Sequence, residues 1–377
     1  MPGTLHTSFS LRAGDAESGG EYLALVDPQG NVVSEFSPVY PEQFTDISYG
    51  RDRGNPDLLG YFTTPTPGEP NVPGGAGFSS AVEFSQVSKT FPAGTSFTVA
   101  LSTPSPTAVI RYTTTTNVPS ETSPIYSSPI PVNGTAMIRA RAFQPGLLPG
   151  PLRTEHYIAL DAAVLDRDSD LPLIIMHTYG GGTANQTADK FVVMQVFERQ
   201  FGRAALTNPP TQTVRGRFKI RGSSTAGYAK QSWAYEAWDE FDDDKEIELL
   251  GMPEDPDWVF YAPNNFEPAL IHNPLAHELS RQIGRYGVRT RFAEVYYVDD
   301  STTLNPVRAA DYNGIYVVSE KIKRDPNRVA IDNLQPEHLS PPEITGGYLL
   351  KIDRADPGDT GFPVAGSSGV GGQTVLY

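Results

Sequence analysis

Apolar and polar residues alternate over much of this chain, the period of a half-buried strand. The stretch 218–238 carries the pattern most fully. Phe218 and Ile220 alternate with Lys219 and Arg221; beyond a glycine-rich turn, Trp233, Tyr235 and Ala237 share one face and Lys230, Ser232 and Glu236 the other. Short strands are predicted between 8 and 62, with 22–26 and 32–36 joined through Asp27-Pro28-Gln29-Gly30, a strong turn signal. Others are predicted at 97–102, 108–113 and 137–143, the last with Ile138, Ala140 and Ala142 on one face. The apolar run 171–176 predicts a buried strand, and strands at 191–197, 203–206, 258–261, 291–298, 314–321 and 346–353 follow it. A single helix interrupts them. Asn273 is placed as its N-cap, Pro274 at its first position and Gly284 as its stop, with Leu275, Leu279 and Ile283 as the apolar stripe. The glycine-rich segment 71–77 reads as a linker.

Composition supports β-rich modules. The 377 residues suffice for two or three domains, and 35 glycines with 34 prolines suit many turns. A net charge of −15 argues against nucleic acid or an anionic membrane as the main partner. No cysteine is present, which excludes disulfides, thiolate zinc sites and a cysteine nucleophile. No apolar run approaches the roughly 18 residues of a membrane span. Strand-like sequence at both ends suggests a piece of something longer.

The chemistry with most promise sits in the turn Gly222-Ser223-Ser224-Thr225-Ala226-Gly227. It exposes backbone N–H groups and hydroxyls with little bulk, between Arg221 and Lys230, which suits phosphate oxygens. The same pattern also suits an ordinary surface hairpin with two solvated cations. It is not a P-loop: Tyr228 and Ala229 stand where Lys-Ser/Thr is needed. The carboxylates at 166–170 and 239–248 lack the spacing of a calcium loop and read as solvated turns. His177, just past an apolar run, reads as a satisfied core histidine.

Three resemblances organise the chain. Asp46-Ile47-Ser48-Tyr49-Gly50-Arg51, followed by Thr66-Pro67-Gly68 and Asn71, resembles the end of a lamin-tail domain, a small immunoglobulin-like sandwich, here without its early strand pair. Ile110-Arg111-Tyr112-Thr113, Pro119, Ser123, Tyr126 and the strand from Ile138 resemble the sandwich attached to chitobiases and β-hexosaminidases. In that family a Thr-Asp-Gly turn follows, whereas Thr114-Thr115-Thr116-Asn117 stands here. The third is carried by Arg221-Gly222-Ser223-Ser224-Thr225 through Lys230-Gln231-Ser232-Trp233, and by Leu249-Leu250-Gly251-Met252-Pro253-Glu254-Asp255 with Asp257-Trp258. It continues through Glu278-Leu279-Ser280-Arg281, Gly314-Ile315-Tyr316, Glu320-Lys321-Ile322-Lys323-Arg324-Asp325 and Gly346-Gly347-Tyr348. This ordered set resembles the CotH kinase family, atypical protein kinases named for a spore-coat protein.

These resemblances imply two all-β immunoglobulin-like sandwiches, at 1–71 and 78–159, followed by an α+β atypical-kinase N-terminal lobe at 160–377. They imply ATP with Mg²⁺ and transfer of phosphate to a protein hydroxyl, in a secreted or surface-bound bacterial protein. By position in the motif, Lys230 touches the α/β-phosphates, Arg221, Ser223 and Ser224 cradle them, Glu278 braces Lys230, and Glu320 lies near the nucleotide. His272 stands where family members often carry Arg. The family's catalytic and metal-binding aspartates lie in a C-terminal lobe and are expected beyond Tyr377, since Asp353 and Asp356 come too early and in a different motif. Two other classes stay open: a surface adhesion or scaffold protein that has kept a kinase-like lobe, and a carbohydrate-binding protein working through its sandwich module.

Overall fold

The computed structural model describes residues 21–350 apart from 41–42, 45–46, 53–58, 65, 67–68, 70, 72–73, 265–266, 302, 336, 346 and 350. It also describes the backbones of the paired strands Gly361–Val364 and Gln373–Leu376. Chain contacts divide it into two compact units. The first takes in Met1–Val87, Thr98–Pro131 and Met137–Glu155, and the second Ser88–Phe97, Val132–Ala136 and His156–Tyr377.

In the first unit, Leu23–Val26 pairs antiparallel with Val32–Phe36 across the expected turn, where the Asp27 carboxylate accepts from the backbone of Gln29 and Asn31. Ser48–Arg51 pairs with Leu59–Phe62, and Phe36, Tyr49, Tyr61, Phe44 and Phe78 form a chain of ring contacts around that pair. The segment read as a linker is tied down. Gly75 exchanges two backbone hydrogen bonds of 3.0 Å with Tyr61, and a Cβ at Gly75 would meet the Leu148 backbone at 2.5 Å. Its glycines serve close packing rather than flexibility. Val109–Thr113 pairs with the neighbouring segment of Ala136–Phe143, burying Ile138, Ala140 and Ala142 as the alternation predicts.

The second unit is built on a closed barrel of seven strands. These are β1 (Leu173–His177), β2 (Lys190–Phe197), β3 (Gln212–Arg221), β4 (Ser232–Trp238), β5 (Asp257–Tyr261), β6 (Thr290–Val298) and β7 (Tyr312–Glu320). Around the barrel the order is β1-β2-β3-β4-β5-β7-β6, and it closes where β6 lies parallel to β1. All the other neighbours are antiparallel. Register explains the interior: Ile220, Trp233, Phe260 and Val318 lie opposite one another, and so do Phe218, Tyr235 and Trp258. These residues join one core with Met176, Met194 and Tyr316. Strand β1 reads LIIMH without alternation because its other face, through Leu173 and Ile175, enters a second core with Leu160, Phe197, Tyr296 and Val298.

One helix, α1 (His272–Gln282), follows β5. The expected cap is shifted: Ile271 occupies the N-cap position and has no side chain able to cap. Glu267 supplies the acceptor instead, taking the His272 N–H at 2.6 Å and the Tyr261 hydroxyl. Gly284 ends the helix at φ +77°, as predicted. The apolar stripe behaves differently, because Leu275, Leu279 and Ile283 are exposed while Pro274 is buried. Arg281 explains the roll of the helix. Its guanidinium donates to the Gly287 and Val288 carbonyls, and a Cβ on Gly287 would press on the His277 carbonyl and the Ser280 side chain. From Gly347 to Leu349 there is no strand, and the rest of the strand expected at 346–353, with Asp353 and Asp356, lies outside the described residues.

Among the described residues no helix is long and apolar enough to cross a membrane.

Candidate functional site

Strands β3 and β4 form the hairpin foreseen around 218–238, with Arg221 opposite Ser232. Between them the chain makes a short 3-10 turn, Ser224–Gly227, entered through Gly222 at φ +96°. A side chain at Gly222 would also strike the Thr225 hydroxyl, so this position requires glycine. Gln186 ties the Gly222 carbonyl at 2.8 Å and Gln231 ties that of Ala226 at 3.1 Å.

Arg221 leaves the outer wall of the barrel and lines a concavity of about 340 Å³. Tyr261, His277, Thr290, Ser319 and Glu320 line it too, so α1 and the four strands β3, β5, β6 and β7 build its walls. Burial lowers the Arg221 pKa from its ordinary value, and no neighbouring charge contributes to the shift. Its guanidinium has no hydrogen bond or ion pair among the described residues. The residue as a whole remains exposed, so this effect is slight, but a cation left without a counter-ion raises the local potential and favours an anion. His277 is held below its usual pKa by burial and by the charge of Arg281, so it meets an incoming ligand as neutral imidazole at pH 7.

Glu320 borders the same concavity, but its carboxylate is engaged. It accepts from the Arg289 N–H at 2.8 Å, from Arg289 Nε at 2.6 Å and from Arg328 at 2.7 Å. Arg328 is itself fully buried and lies 5.0 Å above the Trp258 ring, so Glu320 anchors one end of the barrel.

Lys230 is not among the residues lining this concavity. It sits at the barrel mouth, where its ammonium donates to the carbonyls of Ile315 and of Pro263, the latter at 3.3 Å, and lies 4.8 Å from the centre of the Tyr316 ring. Tyr316 in turn stacks on Trp233 at 4.8 Å. Burial lowers the Lys230 pKa. Ser223 and Ser224 are exposed in the turn, outside the concavity. Glu278 is also exposed; Gln282 and Arg281 hydrogen-bond to its carboxylate and hold its pKa down. The structure therefore brings Arg221 and Glu320 together and leaves Lys230, Ser223, Ser224 and Glu278 apart from them.

Sequence reasoning missed Tyr261; of His277 and Glu278, beside the apolar stripe, it allowed that one could face a ligand but took surface exposure as the default. Tyr261 ends a strand and His277 lies on the helix face taken as polar surface, and only the roll of α1 turns that face inward. Among the described residues no three His, Asp or Glu side chains gather closely enough to hold a metal ion.

Two stretches of the chain match known protein families. Residues 89–152 match the family described as Chitobiase/beta-hexosaminidase C-terminal domain, and residues 218–368 match the one described as CotH kinase protein. The second match begins at Phe218, on β3, so the first two barrel strands precede it. No curated protein matches the chain. This chain carries a CotH kinase domain over 218–368, preceded by a chitobiase/beta-hexosaminidase C-terminal domain over 89–152.

Proposed function

We propose that the barrel and α1 form the nucleotide-binding lobe of an atypical, CotH-like protein kinase, and that the concavity beside Arg221 receives the polyphosphate of ATP. The observation that carries this reading is the Arg221 guanidinium, which has no counter-ion among the described residues and borders a cavity of about 340 Å³. Phosphoryl transfer asks a protein mainly for positioning and charge neutralisation. A planar guanidinium suits the first contact because it holds two phosphate oxygens at once. Ser319, Thr290 and Asn273 add neutral hydrogen-bonding groups along the wall, and Tyr261 and Val317 offer apolar surface. On this reading Lys230 supports the hairpin from the barrel mouth, and the phosphate acceptor is a protein hydroxyl. The lamin-tail-like and chitobiase-type modules serve as spacers of a secreted or surface-bound protein.

Photo-cross-linking with an azido-ATP tests the assignment. The expected label falls on peptides from β5, β7 and α1, and unlabelled ATP suppresses it. Label confined to other segments, or none above background, contradicts the proposal.

A second reading, a scaffold with a non-catalytic lobe, is favoured by one observation. The Lys230 ammonium already satisfies two carbonyls and an aromatic face, which leaves it little freedom to meet a phosphate.

A further inference from the structure

The opposite end of the barrel from Lys230 holds a cavity of about 590 Å³ that the kinase reading does not use. Leu171, Pro172 and Phe292 give it apolar walls, while Glu198, Arg199 and Arg291 bring charge. Neither Glu198 nor Arg199 has a hydrogen bond or ion pair among the described residues. Arg291 donates to the Leu250 carbonyl at 3.1 Å and the Thr290 carbonyl at 2.9 Å, contacts that fix its direction without neutralising it. Asp170, also on the wall, is already paired with Arg203 at 2.6 Å. Two uncompensated guanidinium groups and one free carboxylate thus share a single cavity, within a chain whose net charge is −15.

The rim has a second peculiarity. Gln200 and Arg203 pair across a two-residue turn made by Phe201 at φ +52° and Gly202 at φ +93°. Such a turn favours Asn or Asp at its first position, because a bulky side chain at positive φ is strained. Phe201 nevertheless stands there with its side chain fully exposed, at 106%. It gains no burial and bears backbone strain, so the fold does not account for it. Gly202, the next residue, lines the cavity.

We propose that this cavity and Phe201 form a binding site for an acidic oligosaccharide, a chain of sugar rings bearing carboxylate or sulfate groups. Each part of such a ligand has a counterpart. Arg199 and Arg291 take the anionic substituents, which they hold in bidentate fashion. Glu198 accepts hydrogen bonds from ring hydroxyls. Phe201 and Phe292 present aromatic surface to the apolar C–H faces of the rings, with Leu171 and Pro172 closing the wall. An acidic peptide would satisfy the two arginines but brings neither the dense array of hydroxyls that suits Glu198 nor the C–H ring faces that suit Phe201 and Phe292, and this favours the sugar.

Affinity electrophoresis of the whole chain tests the site, with polygalacturonate, heparin or neutral dextran set in the gel. Retardation by an acidic polysaccharide but not by dextran, fading as salt is raised, is the expected result. Which acidic polymer retards more tells carboxylate from sulfate recognition. Arg199→Gln is expected to weaken the interaction about tenfold, the scale of one charge-assisted contact. Phe201→Asn is expected to weaken it about fivefold while leaving the thermal midpoint equal or higher, since Asn suits the turn better. That split between binding and stability separates a ligand contact from a merely structural role. The proposal is overturned if neither polymer retards the protein, or if both variants behave like the parent. Displacement of the polysaccharide by polyglutamate at matched charge would also overturn it, in favour of an acidic-peptide site.

Discussion

Acidification between pH 6.5 and 4 should destabilise the barrel through one residue, His177. It closes β1 with 1% of its surface exposed; Nδ1 accepts the Tyr179 N–H at 2.9 Å and Nε2 lies 3.3 Å from the Asn305 carbonyl. Nδ1 as acceptor makes the ring neutral with its proton on Nε2. Burial pushes the pKa from 6.5 down to about 4, against smaller opposing pulls from the Asn305 carbonyl, Asp300 and Asp311. Because the folded-state value is the lower one, the unfolded chain binds the extra proton first as pH falls. Stability is therefore intact above about pH 6.5 and is lost progressively down to about pH 4, where both states are charged. The gap between the two values is worth about 3 kcal/mol, at up to about 1.4 kcal/mol per pH unit inside the window. All three tryptophans, Trp233, Trp238 and Trp258, lie on barrel strands, so fluorescence-monitored urea unfolding reports this unit. His177→Asn will lower stability at pH 7.5, but its stability should fall less steeply between pH 7.5 and 4.5 than the parent's. Distant carboxylates act on both proteins alike and cancel in the comparison. Parallel pH profiles would refute the reasoning, as would an NMR titration placing His177 near 6.5.

Three further substitutions probe the packing. Arg328→Ala removes a fully buried guanidinium from Glu320 and from the Trp258 face; a loss of about 3–5 kcal/mol is expected from the urea midpoint, and one below about 1 kcal/mol would deny the buried pair. Gly216→Ala places a methyl 2.8 Å from the Tyr235 ring and against the Glu236 carbonyl, so β3 and β4 must separate there, and a loss above about 3 kcal/mol with reduced soluble yield is expected. Leu275→Gln with Leu279→Gln should leave the midpoint within about 0.5 kcal/mol, since both side chains are about half exposed; a larger loss would mean that the helix packs by its apolar stripe after all.

What was legible in the sequence was local. Alternation placed the hairpin strand Val32–Phe36, the strand Ala136–Phe143 and the pair β3 and β4 within a few residues of their observed inner bounds. His177 is buried with both ring nitrogens engaged, as its position after an apolar run suggested. Closure of the barrel was not legible. It depends on β1 lying beside β6, more than a hundred residues away, and nothing in either strand's pattern names its partner. The helix misled for a related reason: its apolar stripe is correct as a pattern, yet Arg281 bonding to Gly287 and Val288 fixes which side turns inward. Of the candidate site, Arg221, Ser223, Ser224, Lys230, Glu278 and Glu320 were grouped by their positions in the motif and around the hairpin turn, and of these only Arg221 and Glu320 border the same concavity. Ahead of Ser232 the lysine reaches across the barrel mouth to Ile315 instead.

The polyphosphate assignment is tested most directly by the affinities of AMP, ADP and ATP for the parent and for Arg221→Gln, measured by calorimetry without added metal. Affinity is expected to rise with each added phosphate, and the substitution should weaken ATP about tenfold or more while leaving adenosine and the unfolding midpoint unchanged. Equal affinity of the two proteins for ATP would contradict the account, and so would the absence of any rise from AMP to ATP.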